Sequence, residues 1–396
     1  MGRDHKSRLL IVWGALLLFI LVHGCSSAPP ELKVEPYKPK YRTAANQILI
    51  MEKPFGAGLA DVERLERVLG RAGAIIEEKV AYDHKEALIV LETIHIIVKE
   101  NYGYRPLRLL HEGLKSGRLD CDLFTAIYLS IAEIKHLPIK AVVAPLHTFV
   151  RLPLTSGKYL NWETTIGREY PDAYYLSGEY LGDNDHFYRP NFDLAPGVKT
   201  GAYMRSLSNR EFMAIPHINV AARYLETYQK KASKEPCRSP KIDLKQLKKG
   251  MDLDRTLNAA QMQQKKHKKD PCLELKIALM HLRKAILLDN KRPEAYHGQG
   301  MVLHLMGRNK LALASLNKAL SLYSKEPTYY FDRGMVYLAM GNLQQAAIDL
   351  TQAYHLNPLL KQAAFELASL WRRLGNKKQS ESWWEKAVSP PPNIGP

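Results

Sequence analysis

Small residues recur at a fixed step of 34 through the last third of the chain, and this spacing constrains the fold more than any other feature. Gly307, Gly341 and Gly375 keep the step, and so do Ala285, Ala319, Ala353 and Ala387. Gly300 matches Gly334, Tyr296 matches Tyr330, Pro293 matches Pro327, and Ala278 matches Ala312 and Ala346. A unit of this length is a pair of helices that cannot bury its apolar face alone, so copies must stack into an array. Small side chains at the crossing points let paired helices approach closely, and the larger residues between them form the core. Three clear repeats run from about residue 293. A degenerate one precedes them, without the glycine but with Ala278 and Ala285.

The period resembles the tetratricopeptide repeat, which implies an all-α solenoid over residues 256–390 and a protein or peptide partner in its concave groove. At 396 residues the chain has room for a second full domain before the array. With 46% apolar and 9% aromatic residues it lies outside the disordered class. The net charge of +17 points to anionic surfaces such as lipid headgroups or an anionic envelope polymer, or to a solvated basic face. The run "KKHKK" at 265–269 is read as solvated charge beside a basic linker, residues 231–255. No nucleic-acid partner is expected. No HExxH, CxxC or glycine-rich phosphate loop occurs, so no metal and no cofactor is expected.

Arg3, Lys6 and Arg8 precede an apolar run from Leu9 to Val22, followed by His23, Gly24 and Cys25. A basic head, about 14 apolar residues and a small residue before the cut describe a secretory signal, too short to span a membrane as a confident helix. "VHGC" resembles the lipobox of bacterial lipoproteins. That resemblance implies a signal peptide over 1–24, lipidation at Cys25, and membrane attachment through that lipid; ordinary secretion and an uncleaved anchor are the alternatives. Ser26 after the cysteine points to the outer membrane rather than the inner, on the periplasmic face of the cell envelope. Residues 25–45, "SSAPPELKVEPYKPKYR" among them, read as an extended tether. Of the other cysteines, Cys237 and Cys272 both follow proline in basic loop-like contexts and form the more natural disulfide, which would leave Cys121 free.

From Ala44 the periodicity predicts two or three helices. Asp120 is a good N-cap, which places Cys121 at the first position of a helix that runs to about Glu133 or Lys135. "IKAVVAPLHTFVRLP" reads as one strand, "LTSGK" as a turn and "YLNWETT" as the return strand. A hairpin centred on Thr155 sets His147 opposite Glu163 on one face. Residues 170–200 look like loop, and the helical pattern that resumes near Met204 is interrupted by Pro216.

A helix N-terminus and a nearby imidazole both lower a thiol pKa from its reference of about 8.5. Cys121 is therefore a candidate nucleophile, His147 its base and Glu163 the acid that orients the base. Asn101 and Tyr104 are candidate oxyanion donors. Asp120 and Asp122 flank the thiol and act the other way, since like charge raises its pKa. "LDCDLFTAIYLSIA", "APLHTFVRL" and "NWETTIG" resemble the transglutaminase-like, papain-related family, in a bacterial branch joined to tetratricopeptide repeats. The resemblance implies an α+β transglutaminase-like domain over 46–230 and a Cys121–His147–Glu163 triad attacking an amide bond. Hydrolysis by a peptidase or amidase is the default outcome over cross-linking. A non-catalytic scaffold and adaptor in an envelope complex is the competing reading.

Overall fold

A computed structural model describes residues 40, 42–182, 192–232, 237 and 272–390. The expected signal peptide, the lipidation site Cys25, most of the tether and "KKHKK" lie outside them.

Three helices open the described chain: α1 (Ala44–Glu52), α2 (Leu59–Ile75) and α3 (His84–Lys99). Asp83 caps α3 by accepting from the Glu86 N–H at 2.8 Å, and the Glu86 carboxylate returns to the Asp83 N–H at 3.0 Å. A short parallel pair, β1 (Gly103–Tyr104) and β2 (Arg118–Leu119), brackets α4 (Leu110–Ser116). Then comes α5 (Cys121–Ile134), in which every side chain from Leu123 to Ala132 is buried. A helix apolar all round must sit inside the core, and α5 lies between α1–α3 and a five-stranded sheet.

That sheet holds β3 (Lys140–Ala144), β4 (His147–Pro153), β5 (Tyr159–Glu163), β6 (Arg168–Glu169) and β7 (Ser206–Leu207). Its order is β6-β5-β4-β3-β7, with every neighbour antiparallel. The single strand expected over 139–153 is in fact two. Pro145 and Leu146 turn the chain so that Ala144 pairs with His147. Leu146 adopts φ +61°, a left-handed conformation that non-glycine residues rarely take in such turns. The stretch expected as loop carries the short helices α6 (Asp172–Ser177) and α7 (Ala195–Thr200).

After α8 (Asn209–Phe212), α9 (Ala214–Ala232) runs unbroken through Pro216. Proline is the third residue of that helix, where the missing N–H has no partner within the helix to lose. The array follows as α10 (Leu273–Leu288), α11 (Pro293–Leu305), α12 (Asn309–Leu322), α13 (Pro327–Ala339), α14 (Leu343–Leu356), α15 (Lys361–Arg373) and α16 (Lys377–Val388). Helices α11 and α12, α13 and α14, and α15 and α16 pack as pairs. So do α9 and α10, equally closely, which corrects the boundary expected at residues 230–256. The last helix of the first region is the front helix of a pair, and the expected linker interrupts that pair. Cys237 and Cys272 form a disulfide that ties the end of α9 to the start of α10.

The periodic glycines divide into two kinds. Gly307, Gly341 and Gly375 have φ of +70°, +78° and +75° and make the left-handed turn inside each pair. Gly300 and Gly334 mark the close approach: a Cβ on Gly300 would stand 2.6 Å from Leu316 Cγ.

Candidate active site

Cys121 opens α5, and Asp120 caps it by accepting from the Leu123 N–H at 3.0 Å. The Cys121 sulfur lies 4.0 Å from Asp122 Oδ1. Asp122 is held in turn by the Thr148 hydroxyl at 3.0 Å and the Asn219 amide at 3.3 Å. Burial pushes the thiol pKa well up, and Asp122 and Asp120 push the same way; a hydrogen bond from the Thr148 backbone N–H opposes them. Burial and mutual repulsion also raise the Asp120 carboxyl, and burial raises Asp122. Among the described residues Cys121 is the free cysteine.

His147 begins β4, placed by the Pro145–Leu146 turn. Its Nε2 meets Glu163 Oε2 at 2.6 Å. The register differs from the expected one: Val150 faces Trp162, so Glu163 falls level with Phe149 and the hairpin centres on Ser156. Even so, a shift of one position in the centre leaves both residues on the same face, and they meet diagonally rather than squarely. Glu163 is 3% exposed. Burial works to raise its pKa, but the His147 charge and hydrogen bonds from His147 and Thr165 outweigh it and hold the carboxyl below its usual value. A carboxylate there accepts, so His147 Nε2 is the ring nitrogen that donates, and Nδ1 is the one not engaged by Glu163. Tyr180 and Tyr175 pack around the imidazole, with ring centres 5.2 Å and 6.3 Å away.

Cys121, Asp122, His147, Thr148 and Asn219 line one cavity of about 800 Å³. The rest of α9 and the repeats line it as well, with Arg292, Glu294, His297 and Met301. Asn101 does not line it; its amide donates to Ile97 O at 3.0 Å and closes the end of α3, so it is not placed as an oxyanion donor. Tyr104 does not line it either, but lies within electrostatic reach of the site. Burial and the charges of Cys121, Asp120, Glu163 and Asp122 raise its pKa to about 12, so its hydroxyl remains a donor. Asn219, Thr148, Arg292 and Glu294 escape sequence reading. Each looks like an ordinary helix or strand residue, and only tertiary packing brings β4, α9 and the start of α11 to one cavity with the thiol. Among the described residues no three His, Cys, Asp or Glu side chains group to hold a metal ion, and no helix is long and apolar enough to cross a membrane.

A tetratricopeptide-repeat family model matches residues 293–326 and 327–358. No curated protein sequence matches the chain. Among solved structures, MamA from Desulfovibrio magneticus RS-1 is similar over 43% of this chain and 93% of its own, at 16% identity and a TM-score of 0.28. The Yersinia enterocolitica type III secretion chaperone SycD, in complex with a peptide of the translocator YopD, is similar over 32% and 94%, at 23% identity and a TM-score of 0.25. YrrB, a tetratricopeptide-repeat protein with an unusual peptide-binding site, is similar over 44% and 84%, at 18% identity and a TM-score of 0.27. Residues 293–358 are tetratricopeptide repeats.

Proposed function

We propose that the chain is a thiol enzyme of transglutaminase-like type, held at the bacterial envelope by lipidated Cys25, that attacks an amide bond. The observation that carries this reading is the 2.6 Å bond between His147 Nε2 and Glu163 Oε2, in a cavity that Cys121 also lines. Glu163 fixes the tautomer, and Nδ1 is the base. The thiol is protonated at rest, so His147 takes its proton as the sulfur attacks the carbonyl carbon and later returns it to the leaving amine. Water then releases the acyl group, and Tyr104, whose hydroxyl stays protonated, is the candidate side-chain donor to the developing oxyanion. The repeats recruit a protein or peptide partner.

An activated ester tests the chemistry without knowledge of the substrate. Mixing the purified chain with N-acetylglycine p-nitrophenyl ester should give a burst of p-nitrophenolate and an acyl adduct on Cys121 by mass spectrometry. Cys121→Ala should abolish both, and His147→Ala should slow the burst by about 100-fold or more. A burst that survives Cys121→Ala overturns the proposal. The second reading, a non-catalytic scaffold and adaptor, is favoured by the raised thiol pKa; it predicts a folded chain with neither burst nor adduct.

A further inference from the structure

The cavity that Cys121 lines also carries polar atoms whose bonding is incomplete. Arg292, the residue capping α11, is 1% exposed. Its Nη2 donates to Asp289 Oδ2 at 3.1 Å, but Nε and Nη1 are buried with no hydrogen-bond partner among the described residues. Glu294, two residues on, accepts from the Tyr203 hydroxyl through Oε1 at 2.6 Å. Its Oε2 is buried without a partner and lies 4.0 Å from Arg292 Nε, an ion pair too long for a hydrogen bond. A buried donor and a buried acceptor are thus left open side by side, on a cavity that also holds the thiol. Proteins seldom leave such groups without a partner, whether protein, water or ligand.

An amide group offers the complement, since its C=O accepts and its N–H donates. A free anion would satisfy Arg292 but be repelled by Glu294, and a cation would do the reverse. We propose that Arg292 and Glu294 bind a main-chain amide of an extended peptide substrate, so that the first full repeat forms part of the substrate cleft of Cys121. The inference rests on the thiol-enzyme reading for what happens to that peptide, and on the geometry of α11 for its binding. The repeats are then more than a recruiting arm: they fix the register in which a peptide passes the sulfur.

The full chain carrying Cys121→Ala, which cannot turn the probe over, is exposed to a library of N-acetylated, C-amidated hexapeptides, and retained members are identified by mass spectrometry. One retained peptide is then resynthesised with successive main-chain amides replaced by esters. One replacement should weaken binding about tenfold, the effect of a lost buried hydrogen bond. Glu294→Gln, which preserves shape and keeps an oxygen for Tyr203 while placing NH₂ where Oε2 stood, should weaken the all-amide peptide to the same degree and abolish the ester effect. Arg292→Met, which removes the donor to the peptide C=O, should weaken the all-amide peptide while the ester effect at Glu294 persists, with circular dichroism and thermal melting confirming its fold; Glu294→Gln decides the outcome if that variant does not fold. Equal binding by the Glu294→Gln chain, ester sensitivity that persists in it, or no retained peptide at all overturns the proposal. Iodoacetamide labelling of native Cys121, with and without His147→Ala, reports separately on the thiol. An inert thiol beside a peptide-binding cleft removes the enzyme and leaves the cleft; a reactive thiol with no Glu294 effect does the opposite.

Discussion

At Cys121 the helix N-terminus and the Thr148 N–H favour the thiolate, while burial, Asp122 and Asp120 disfavour it and prevail. A raised pKa means a smaller thiolate fraction at neutral pH. Alkylation should therefore climb about tenfold per pH unit from neutral into the alkaline range, without a plateau near neutrality. Asp122→Asn removes the largest charge acting on the sulfur and keeps an oxygen for the Thr148 hydroxyl. The rate of iodoacetamide labelling at pH 7.5 should rise several-fold and the profile move to lower pH. Burial, the largest cause, remains, so the thiol should still titrate above its ordinary value. An unchanged or slower rate would show that the carboxylate does not face the sulfur. On the proposed thiol-enzyme reading, the sulfur would lose its proton only as His147 accepts it, which is how a nucleophile could work between two acids.

Among the elements, the repeat pairs depend on close approach at Gly300 and Gly334. Alanine in a helix interior gains about 1 kcal/mol over glycine. At Gly300, though, the new Cβ would sit 2.6 Å from Leu316 Cγ and 3.3 Å from the Ala312 carbonyl, with neither a flexible chain end. Overpacking costs about 1–3 kcal/mol and wins. Gly300→Ala should lower the thermal midpoint, and Gly334→Ala, whose nearest contact is 3.0 Å, should lower it less; a raised midpoint for Gly300→Ala would refute the packing argument. This period was legible because each small residue answers to one geometric demand, a crossing or a left-handed turn. The start of α5 was legible too, since Asp120 is a cap on chemical grounds alone. The face shared by His147 and Glu163 followed from parity, but their register did not, because loop geometry sets it. Leu146 hid the turn before His147, since leucine does not advertise a left-handed backbone. The pairing of α9 with α10 was hidden by the residues between them, and Arg292 and Glu294 passed for routine residues of a helix start.

For the whole molecule, the seam between α9 and α10 joins the sheet-bearing region to the array. His217 and His281 meet there, Nδ1 to Nδ1, at 2.8 Å, with the Tyr224 ring 6.0 Å from His281. One neutral imidazole must donate to the other, because two protonated rings would have no acceptor between them. Burial, reinforced by Lys284, pushes the His217 pKa down to about 3. A histidine whose folded pKa lies below its unfolded value, about 6.5, binds fewer protons when folded. Its contribution to stability is complete above pH 6.5 and is lost as pH falls from there toward 3. Between pH 7 and 4 the loss should reach about 3 kcal/mol. Carboxylates titrate in the same range, so the measurement is a difference: urea unfolding of the parent chain against His217→Gln, which stays neutral and can still bond His281. The two should be similar at pH 7, with the variant more stable by that amount at pH 4; parallel pH profiles would exclude the pair as the acid-labile element. Because α9 also lines the cavity that Cys121 opens onto, an acid that parts this seam also pulls Asn219 and the repeat wall from the thiol, and peptide binding should fail before the array itself unfolds.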